Sequence, residues 1–314
     1  MRVFGSNPKG TGGLGRHSLL LSSPRPLVLA SSAAAIGAPC HLFALVPMAL
    51  TGPNNPVESR TSHASIALIA FMTYCVAMSL DAGMIFASDS RTNAGVDQVG
   101  RFSKMRVFSR EGDRVIVTLS SGNLSITQNA LNILDQRARA GDSQLNVWNA
   151  TSLFDVARLV GDALREVKTR DGPYLMQNNI DSSANFIVGG QLRGEPPRLF
   201  EVYSEGNFIE ATPDTCYFQI GESKYGKPVI DRVIQRSTGL LEATKCTIVS
   251  FDSTMRSNIS VGLPIDLAIY ETDSLRLKLQ RRIEESDPYF QMVHTQWGEG
   301  LRTVFAQLPN PQWT

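Results

Sequence analysis

Residues 72–91 read MTYCVAMSLDAGMIFASDSR, and this stretch decides the fold. Two apolar runs, 73–80 and 84–88, flank a short segment that contains Asp and Gly, which is typical of a tight turn. We therefore predict a β-hairpin that begins at Thr73 and ends near Asp89. The strands of a hairpin run antiparallel, so its two ends lie side by side. Thr73 and Asp89 are thus expected at the same edge of a sheet.

Outward from this hairpin, the sequence pattern alternates between strand pairs and helix pairs. Further strands are predicted at 103–109, 114–120, 184–189, 199–203, 207–211, 260–271 and 275–281. Helices are predicted at 126–140, from about 152 onward, and at 224–235, 241–251 and 287–307. This order suits two stacked sheets with helix pairs on the outside. We predict one α+β sandwich domain over 72–314.

Residues 1–71 differ from the rest of the chain. They are rich in Gly, Pro, Ser and Ala and show no periodicity, so no fold is assigned to them. The apolar run 27–50 is interrupted by Ser, Pro and His, which argues against a membrane span. The GTGGLG at 10–15 lacks the flanking strand and helix of a dinucleotide-binding motif. We interpret 1–71 as an unstructured leader or a wrongly assigned extension, with Met72 as the true start.

Composition narrows the class of function. The net charge is +1, so no strong field favours nucleic acid or a membrane as partner. The four cysteines form no C-x-x-C pair, which favours reduced, buried thiols in the cytoplasm. Only His294 of the four histidines lies in the regularly patterned region, which argues against a His-based triad or a zinc site. No metal and no cofactor are predicted.

The candidate chemistry begins at Thr73, directly after Met72. Removal of that methionine would give Thr73 a free α-amine, whose ordinary pKa is about 7.7 to 8.0. A nearby cation lowers such a pKa, and the neutral amine can take the proton from the hydroxyl of its own residue. The hairpin brings Asp89 towards Thr73, and Lys104 on the next predicted strand can point to the same place. Taken singly, an exposed strand lysine and a turn aspartate are the simpler interpretations.

Several motifs together resemble a known family. They are MTYCV at 72–76, SDSRTNAGVDQ at 88–98, SVGLPIDL at 260–267 and LPNPQW at 308–313. The chain from Thr73 onward resembles the proteasome β subunits and the bacterial HslV type, and most of all the Anbu group of bacterial proteasome homologues. The resemblance implies a four-layer αββα fold and a threonine-type N-terminal-nucleophile hydrolase.

The resemblance also implies roles for individual residues. Thr73 would be the nucleophile with its α-amine as the base, and Asp89 and Lys104 the charged pair beside it. Gly122, in the sequence SSG at 120–122, would supply a backbone N–H to the oxyanion. A homo-oligomeric ring or helical stack acting on peptide or protein substrates is implied. The chain has no phosphate-binding loop, so any ATPase that feeds it would be a separate protein.

Two positions depart from the proteasome pattern. Gly221-Glu222-Ser223 stands where proteasome-type subunits carry Gly-Ser-Gly, and Thr254 stands where they carry the Asp of Asp-x-x-Ser-Gly. Ser223 and Ser257 still offer hydroxyls near the Thr73 amine, but the missing aspartate predicts weak or narrow activity. Self-processing subunits also have Gly before the nucleophile, whereas this chain has Met72.

Two other functions stay open on the sequence. One is a catalytically silent assembly subunit that keeps the fold without the chemistry. The other is an amidase or isopeptidase that uses the same mechanism on a different amide. Retention of Thr73, Asp89 and Lys104 favours a peptidase over a silent subunit.

Overall fold

The computed structural model describes residues 73–93 and 99–313. The leader predicted over 1–71 lies outside the described residues, as does 94–98 within the motif at 88–98. The hairpin that opens the domain is present as β1 (Tyr74–Leu80) and β2 (Gly83–Asp89), paired antiparallel with Leu80 opposite Gly83. The prediction drawn from residues 72–91 is thus confirmed.

The remaining elements follow in chain order. The strands are β3 (Arg91–Asn93), β4 (Val99–Arg101), β5 (Met105–Arg110), β6 (Arg114–Gly122), β7 (Ala184–Leu192), β8 (Arg198–Val202), β9 (Phe208–Glu210), β10 (Tyr217–Gly221), β11 (Ile265–Glu271) and β12 (Leu277–Ile283). The helices are α1 (Leu124–Arg139), α2 (Leu153–Gln177), α3 (Lys227–Val233), α4 (Leu240–Ser257) and α5 (Pro288–Gln307), with a 3₁₀ turn at Gly141–Ser143. The described residues thus form a mixed α/β structure with five α-helices.

The strands form two five-stranded sheets and one short ribbon. The first sheet has the order β10-β1-β2-β11-β12, the second β5-β6-β7-β8-β9, and β3 pairs with β4. All neighbouring strands are antiparallel. Two adjacent inner strands of the first sheet, β1 and β2, are buried along their whole length.

Side chains of β1 alternate between two apolar clusters, as the period of a strand requires. Tyr74 and Val76 pack in a cluster with residues of α3, α4 and α5, including Phe251. Cys75 and Ala77 pack in another cluster, which contains residues of both large sheets. A third cluster joins the second sheet to α1 and α2. The first sheet is therefore covered by apolar groups on both faces.

Local signals position the helices and strands. The Ser152 hydroxyl accepts from the N–H of Asp155 at 3.0 Å, so the predicted cap starts α2. β11 begins only at Ile265, later than predicted, because Pro264 has no N–H to donate to the ladder. Across the described ranges, no helix is both long enough and apolar enough to cross a membrane.

The sequence did not predict β3, β4 or β10. Each has only three to five residues, and in β10 the polar Gln219 interrupts the apolar pattern. β10 matters for the site because its last residue, Gly221, pairs with Tyr74. The residue that follows, Glu222, therefore lies beside the start of β1.

Candidate active site

Thr73 lies immediately before β1 and is only 6% exposed. Its carbonyl oxygen accepts a hydrogen bond from the N–H of Glu222 at 2.6 Å. Gly221 has φ +83°, and a Cβ at this position would overlap the Thr73 carbonyl group. Only glycine allows the chain after β10 to approach Thr73 this closely. The end of β10 thus fixes one side of the Thr73 backbone.

Asp89, on the neighbouring strand β2, holds the other side of the backbone at the start of β1. It is the last residue of β2, is fully buried, and accepts a hydrogen bond from the N–H of Tyr74 at 3.1 Å. Tyr74 directly follows Thr73. The Asp89 carboxylate is thus anchored one residue away from the candidate nucleophile, at the sheet edge where the hairpin predicts it.

Lys104 pairs with Asp89. Its Nζ lies 2.7 Å from Asp89 Oδ1 and donates to the carbonyl oxygen of Arg91 at 2.6 Å. Lys104 was expected on a strand, whereas it directly precedes β5. Its side chain is 6% exposed, so the ion pair is almost completely shielded from solvent. Removing one partner of such a pair leaves an uncompensated buried charge.

The electrostatics of Asp89 are a balance of opposing effects. Burial raises the pKa of its carboxyl group, whereas the Lys104 ammonium group and the N–H groups of Tyr74 and Gly262 oppose that rise. The neighbouring Cys75 is also fully buried, and burial raises the pKa of its thiol well above its usual range. A protonated thiol is a poor nucleophile, so Cys75 is not a candidate for that role.

Gly122 ends β6 and has φ +97°. Two residues earlier, the Ser120 carbonyl oxygen accepts from Cys75 Sγ at 3.5 Å, and the Ser120 N–H donates to the Lys104 carbonyl oxygen at 3.0 Å. The end of β6 therefore lies beside both the start of β1 and the segment that carries Lys104. This is the side of the site from which a backbone donor can approach.

The two candidate serines line different cavities. Ser223 follows Glu222, is half-buried, and lines a cavity of about 310 Å³ with residues such as Tyr217 and Lys227. Ser257 is exposed at the end of α4 and lines a cavity of about 650 Å³. Within the described ranges, neither serine side chain forms a hydrogen bond with Thr73.

Glu222 and Asn258 are the polar residues that sequence reasoning did not select. Glu222 is 1% exposed, and its Oε2 accepts from Asn258 Nδ2 at 2.9 Å. The Asn258 side-chain oxygen accepts from the N–H of Ser260 at 2.9 Å. Thr254, at the position of the missing aspartate, is buried and donates to the Ser250 carbonyl oxygen within α4. The sequence held one signal for Glu222: it is a charged residue directly after Gly221, where proteasome-type subunits carry a serine.

Comparison with solved structures identifies relatives along most of the chain. A structure described as Anbu (ancestral beta-subunit) from Yersinia bercovieri is 50% identical, with a TM-score of 0.73 over 77% of this chain and 100% of that one. A structure described as the helical assembly of the Anbu complex from Pseudomonas aeruginosa is 46% identical, with a TM-score of 0.73 over 77% of this chain and 99% of that one. Anbu from Hyphomicrobium sp. strain MC1 is 44% identical, with a TM-score of 0.71 over 76% and 100%.

Neither a scan of protein-family models nor a search of curated proteins gives a match. The antiparallel sheets, the buried cluster at the start of β1 and the solved relatives define a proteasome-like homologue. More narrowly, the chain belongs to the Anbu family.

Proposed function

We propose that the protein is a threonine-type peptidase with Thr73 as its nucleophile. The observation that carries the proposal is the buried Lys104–Asp89 ion pair, hydrogen-bonded through Asp89 to the N–H of Tyr74. A buried ion pair adds little or nothing to stability compared with apolar residues of similar volume. Its location one residue from Thr73 therefore favours a functional role over a structural one.

The proposed reaction begins with a free α-amine on Thr73. The neutral amine takes the proton from Thr73 Oγ, and the oxygen attacks the carbonyl carbon of the substrate. The Gly122 N–H stabilises the oxyanion that forms, and such a donor is typically worth about 2.7 to 4 kcal/mol. The protonated amine then gives its proton to the leaving amine, which leaves an ester on Thr73. Water, activated by the same amine, hydrolyses the ester.

The charged pair has a defined part in this reaction. The Lys104 cation lowers the pKa of the α-amine and so favours its neutral, basic form. Asp89 holds Lys104 in place through the 2.7 Å contact. Ser223 and Ser257 line cavities and form no hydrogen bond with Thr73 among the described residues. We therefore propose them only as hydroxyl groups that support the Thr73 amine.

We further propose a homo-oligomer, a ring or a helical stack, in a four-layer αββα fold. The three apolar clusters support the layers, and the Pseudomonas aeruginosa relative, which is described as a helical assembly, supports self-association. The last part of α5 exposes Leu301, Val304 and Phe305, and apolar surface of this kind marks association sites. The substrate would be a peptide or protein, and an ATPase would be a separate chain.

We propose that 1–71 are not part of the hydrolase domain, and that Thr73 is exposed by removal of Met72. The Anbu structure from Yersinia bercovieri matches 77% of this chain. The share that it leaves unmatched is as long as the segment before Thr73, which supports the proposal. Cys75, Cys216 and Cys246 carry free, buried thiols, which suits a cytoplasmic location.

A silent assembly subunit is the second candidate, favoured by two observations. Glu222 is a buried acidic residue whose backbone N–H donates to the Thr73 carbonyl oxygen, and Thr254 stands where the proteasome pattern has an acidic residue. An amidase or isopeptidase with the same nucleophile is the third candidate. All three share the fold but differ in what they hydrolyse.

The test combines intact mass, turnover and acylation. We expect the purified protein to begin at Thr73, to hydrolyse a peptide-amide library and to be acylated at Thr73 Oγ by an electrophilic lactone. Thr73→Ala should lower hydrolysis by at least about a thousandfold, whereas Thr303→Ala, on the exposed face of α5, should leave it unchanged.

The outcomes separate the candidates. Equal turnover by the protein and Thr73→Ala, or a mass that still includes Met72, refutes the proposed mechanism. An assembled oligomer with a free Thr73 but neither turnover nor acylation identifies a silent subunit. Hydrolysis of small amides or isopeptides without cleavage of peptides identifies the amidase.

A further inference from the structure

Glu222 is a buried acid that the proposed reaction does not use. It lies one residue beyond the last ladder pair, Tyr74 with Gly221, and its N–H donates to the Thr73 carbonyl oxygen at 2.6 Å. Residues opposite each other on neighbouring strands have Cβ atoms about 4.5 to 5.5 Å apart. A glutamate side chain spans that distance, so its carboxyl group can reach the backbone nitrogen of Thr73.

The hydrogen bonds of this carboxyl group are incomplete. Oε2 accepts from Asn258 Nδ2, whereas Oε1 is buried and, among the described residues, no donor lies within hydrogen-bond distance of it. The nearest cation is Lys224 Nζ at 3.7 Å, but the Lys224 side chain is 71% exposed. A buried carboxylate normally accepts several hydrogen bonds, so Oε1 has room for one more donor.

We propose that Glu222 binds the α-ammonium group of Thr73 once Met72 has been removed. This inference rests on the proposed function, because it needs a free N-terminus at Thr73. An ammonium group has three donors and a positive charge, which match the open acceptor of a buried carboxylate. Glu222 is in this account a positioning residue: it orients the amine and does not touch the substrate.

Glu222 and Lys104 act on the amine in opposite directions. A carboxylate within about 4 to 6 Å stabilises the ammonium form and raises the pKa of the amine, whereas an ammonium neighbour lowers it. The other charged groups around this position are Asp89, buried against Lys104, and Lys224, largely in solvent. The balance sets how much of the amine is a free base at neutral pH. Hydrolysis should therefore increase towards alkaline pH.

The decisive measurement is a titration of the α-amine itself. The protein is labelled at a series of pH values with a limiting acylating reagent, and mass spectrometry quantifies the amide on the N-terminal peptide after hydroxylamine has removed esters. Glu222→Gln keeps an acceptor for Asn258 but removes the charge. We expect its labelling midpoint to lie at least about one pH unit below that of the protein.

The same shift should appear in turnover. If the amine is mostly protonated at pH 7, a midpoint one unit lower increases the free base, and the rate that depends on it, by up to about tenfold. Glu222→Asp keeps the charge and should retain the high midpoint. Glu299→Gln removes an exposed charge on α5 and should change neither measurement. Glu222→Ser serves as a second neutral variant where Glu222→Gln fails to fold.

Each outcome decides between the two proposals. An α-amine midpoint that is equal in the protein and both neutral variants overturns the role of Glu222, whatever their turnover. A lower midpoint without any turnover or Oγ acylation supports the Glu222 contact but refutes the peptidase. A protein that retains Met72 overturns both proposals.

Discussion

Lys104→Met tests the energetic basis of the site. The substitution keeps an unbranched side chain of similar length but removes the cation that lies 2.7 Å from Asp89 Oδ1. Asp89 is fully buried and Lys104 is 6% exposed, so little solvent can screen the charge that remains. Breaking a buried pair in this way typically costs about 3 to 5 kcal/mol. We expect the free energy of unfolding to fall by that amount at pH 7.

The pH dependence of this loss follows from Asp89. Burial already holds the pKa of its carboxyl above the ordinary value of 3.8, and removal of Lys104 takes away the largest opposing effect. A raised pKa in the folded state means that the protonated form stabilises the fold below pH 3.8. That stabilisation is lost as pH rises through the folded-state pKa. The difference between protein and variant should therefore shrink as the pH is lowered.

The assay is urea denaturation at fixed protomer concentration, because self-association would add to the apparent stability. Lys278→Met is the matched control: Lys278 pairs with Glu271, and both side chains are about half exposed. Exposed pairs contribute about 0 to 1 kcal/mol, so this variant should be nearly neutral. The double variant Asp89→Leu with Lys104→Met should recover part of the lost stability but no hydrolytic activity.

If the free energy of unfolding of Lys104→Met falls by less than about 1 kcal/mol, as in the control, then Lys104 and Asp89 do not form a solvent-excluded pair in which each charge compensates the other. A loss that grows as the pH falls would contradict the assignment of the buried charge to Asp89. Recovery of activity in the double variant would remove the catalytic role proposed for the pair.

Two further perturbations test the geometry and the assembly. Gly221→Ala places a Cβ on the Thr73 carbonyl group at φ +83°, so we expect a lower thermal midpoint and loss of Thr73 acylation. Gly194→Ala is the matched control: it has a similar φ of +88° but no atom within 4 Å of the added Cβ, so it carries the backbone strain alone and should keep Thr73 acylation. Phe305→Ser removes a side chain that is 77% exposed on α5. Light scattering should show smaller particles for Phe305→Ser and unchanged particles for the control, Thr303→Ser. An unchanged particle size for Phe305→Ser would remove α5 from the proposed interface.

Much of the fold was predictable because its strongest signals are local. The apolar runs on either side of 81–83 predict β1 and β2, and the Ser152 hydroxyl caps α2 as its sequence context predicts. β3 and β4 were missed because three residues, mostly polar or small, show no period, and β10 because Gln219 interrupts its apolar pattern. Their existence depends on pairing with strands that are distant in sequence.

The residues of the candidate site show the same difference: contacts within neighbouring elements were predictable, and a contact from a distant strand was not. Asp89 lies beside the start of β1 because one hairpin joins them, and Lys104 directly precedes β5, so residue spacing sufficed to suggest their association. Glu222 reaches Thr73 only because β10 joins the opposite edge of β1. Without that strand, the sequence favoured Ser223 over its buried neighbour.

The position of Glu222 changes how the missing aspartate at Thr254 is understood. The α4 end still contributes a polar group towards the site, but it does so through Asn258, which is bonded to Glu222. On the proposal made above, the acidic group beside the amine comes from the end of β10 instead of from α4. Because a carboxylate here opposes the effect of Lys104, weak hydrolysis at neutral pH would be a consequence of charge balance and not of an absent nucleophile. If the protein is the proposed peptidase, Glu222→Gln, which removes the charge but keeps an acceptor, should therefore increase hydrolysis at neutral pH.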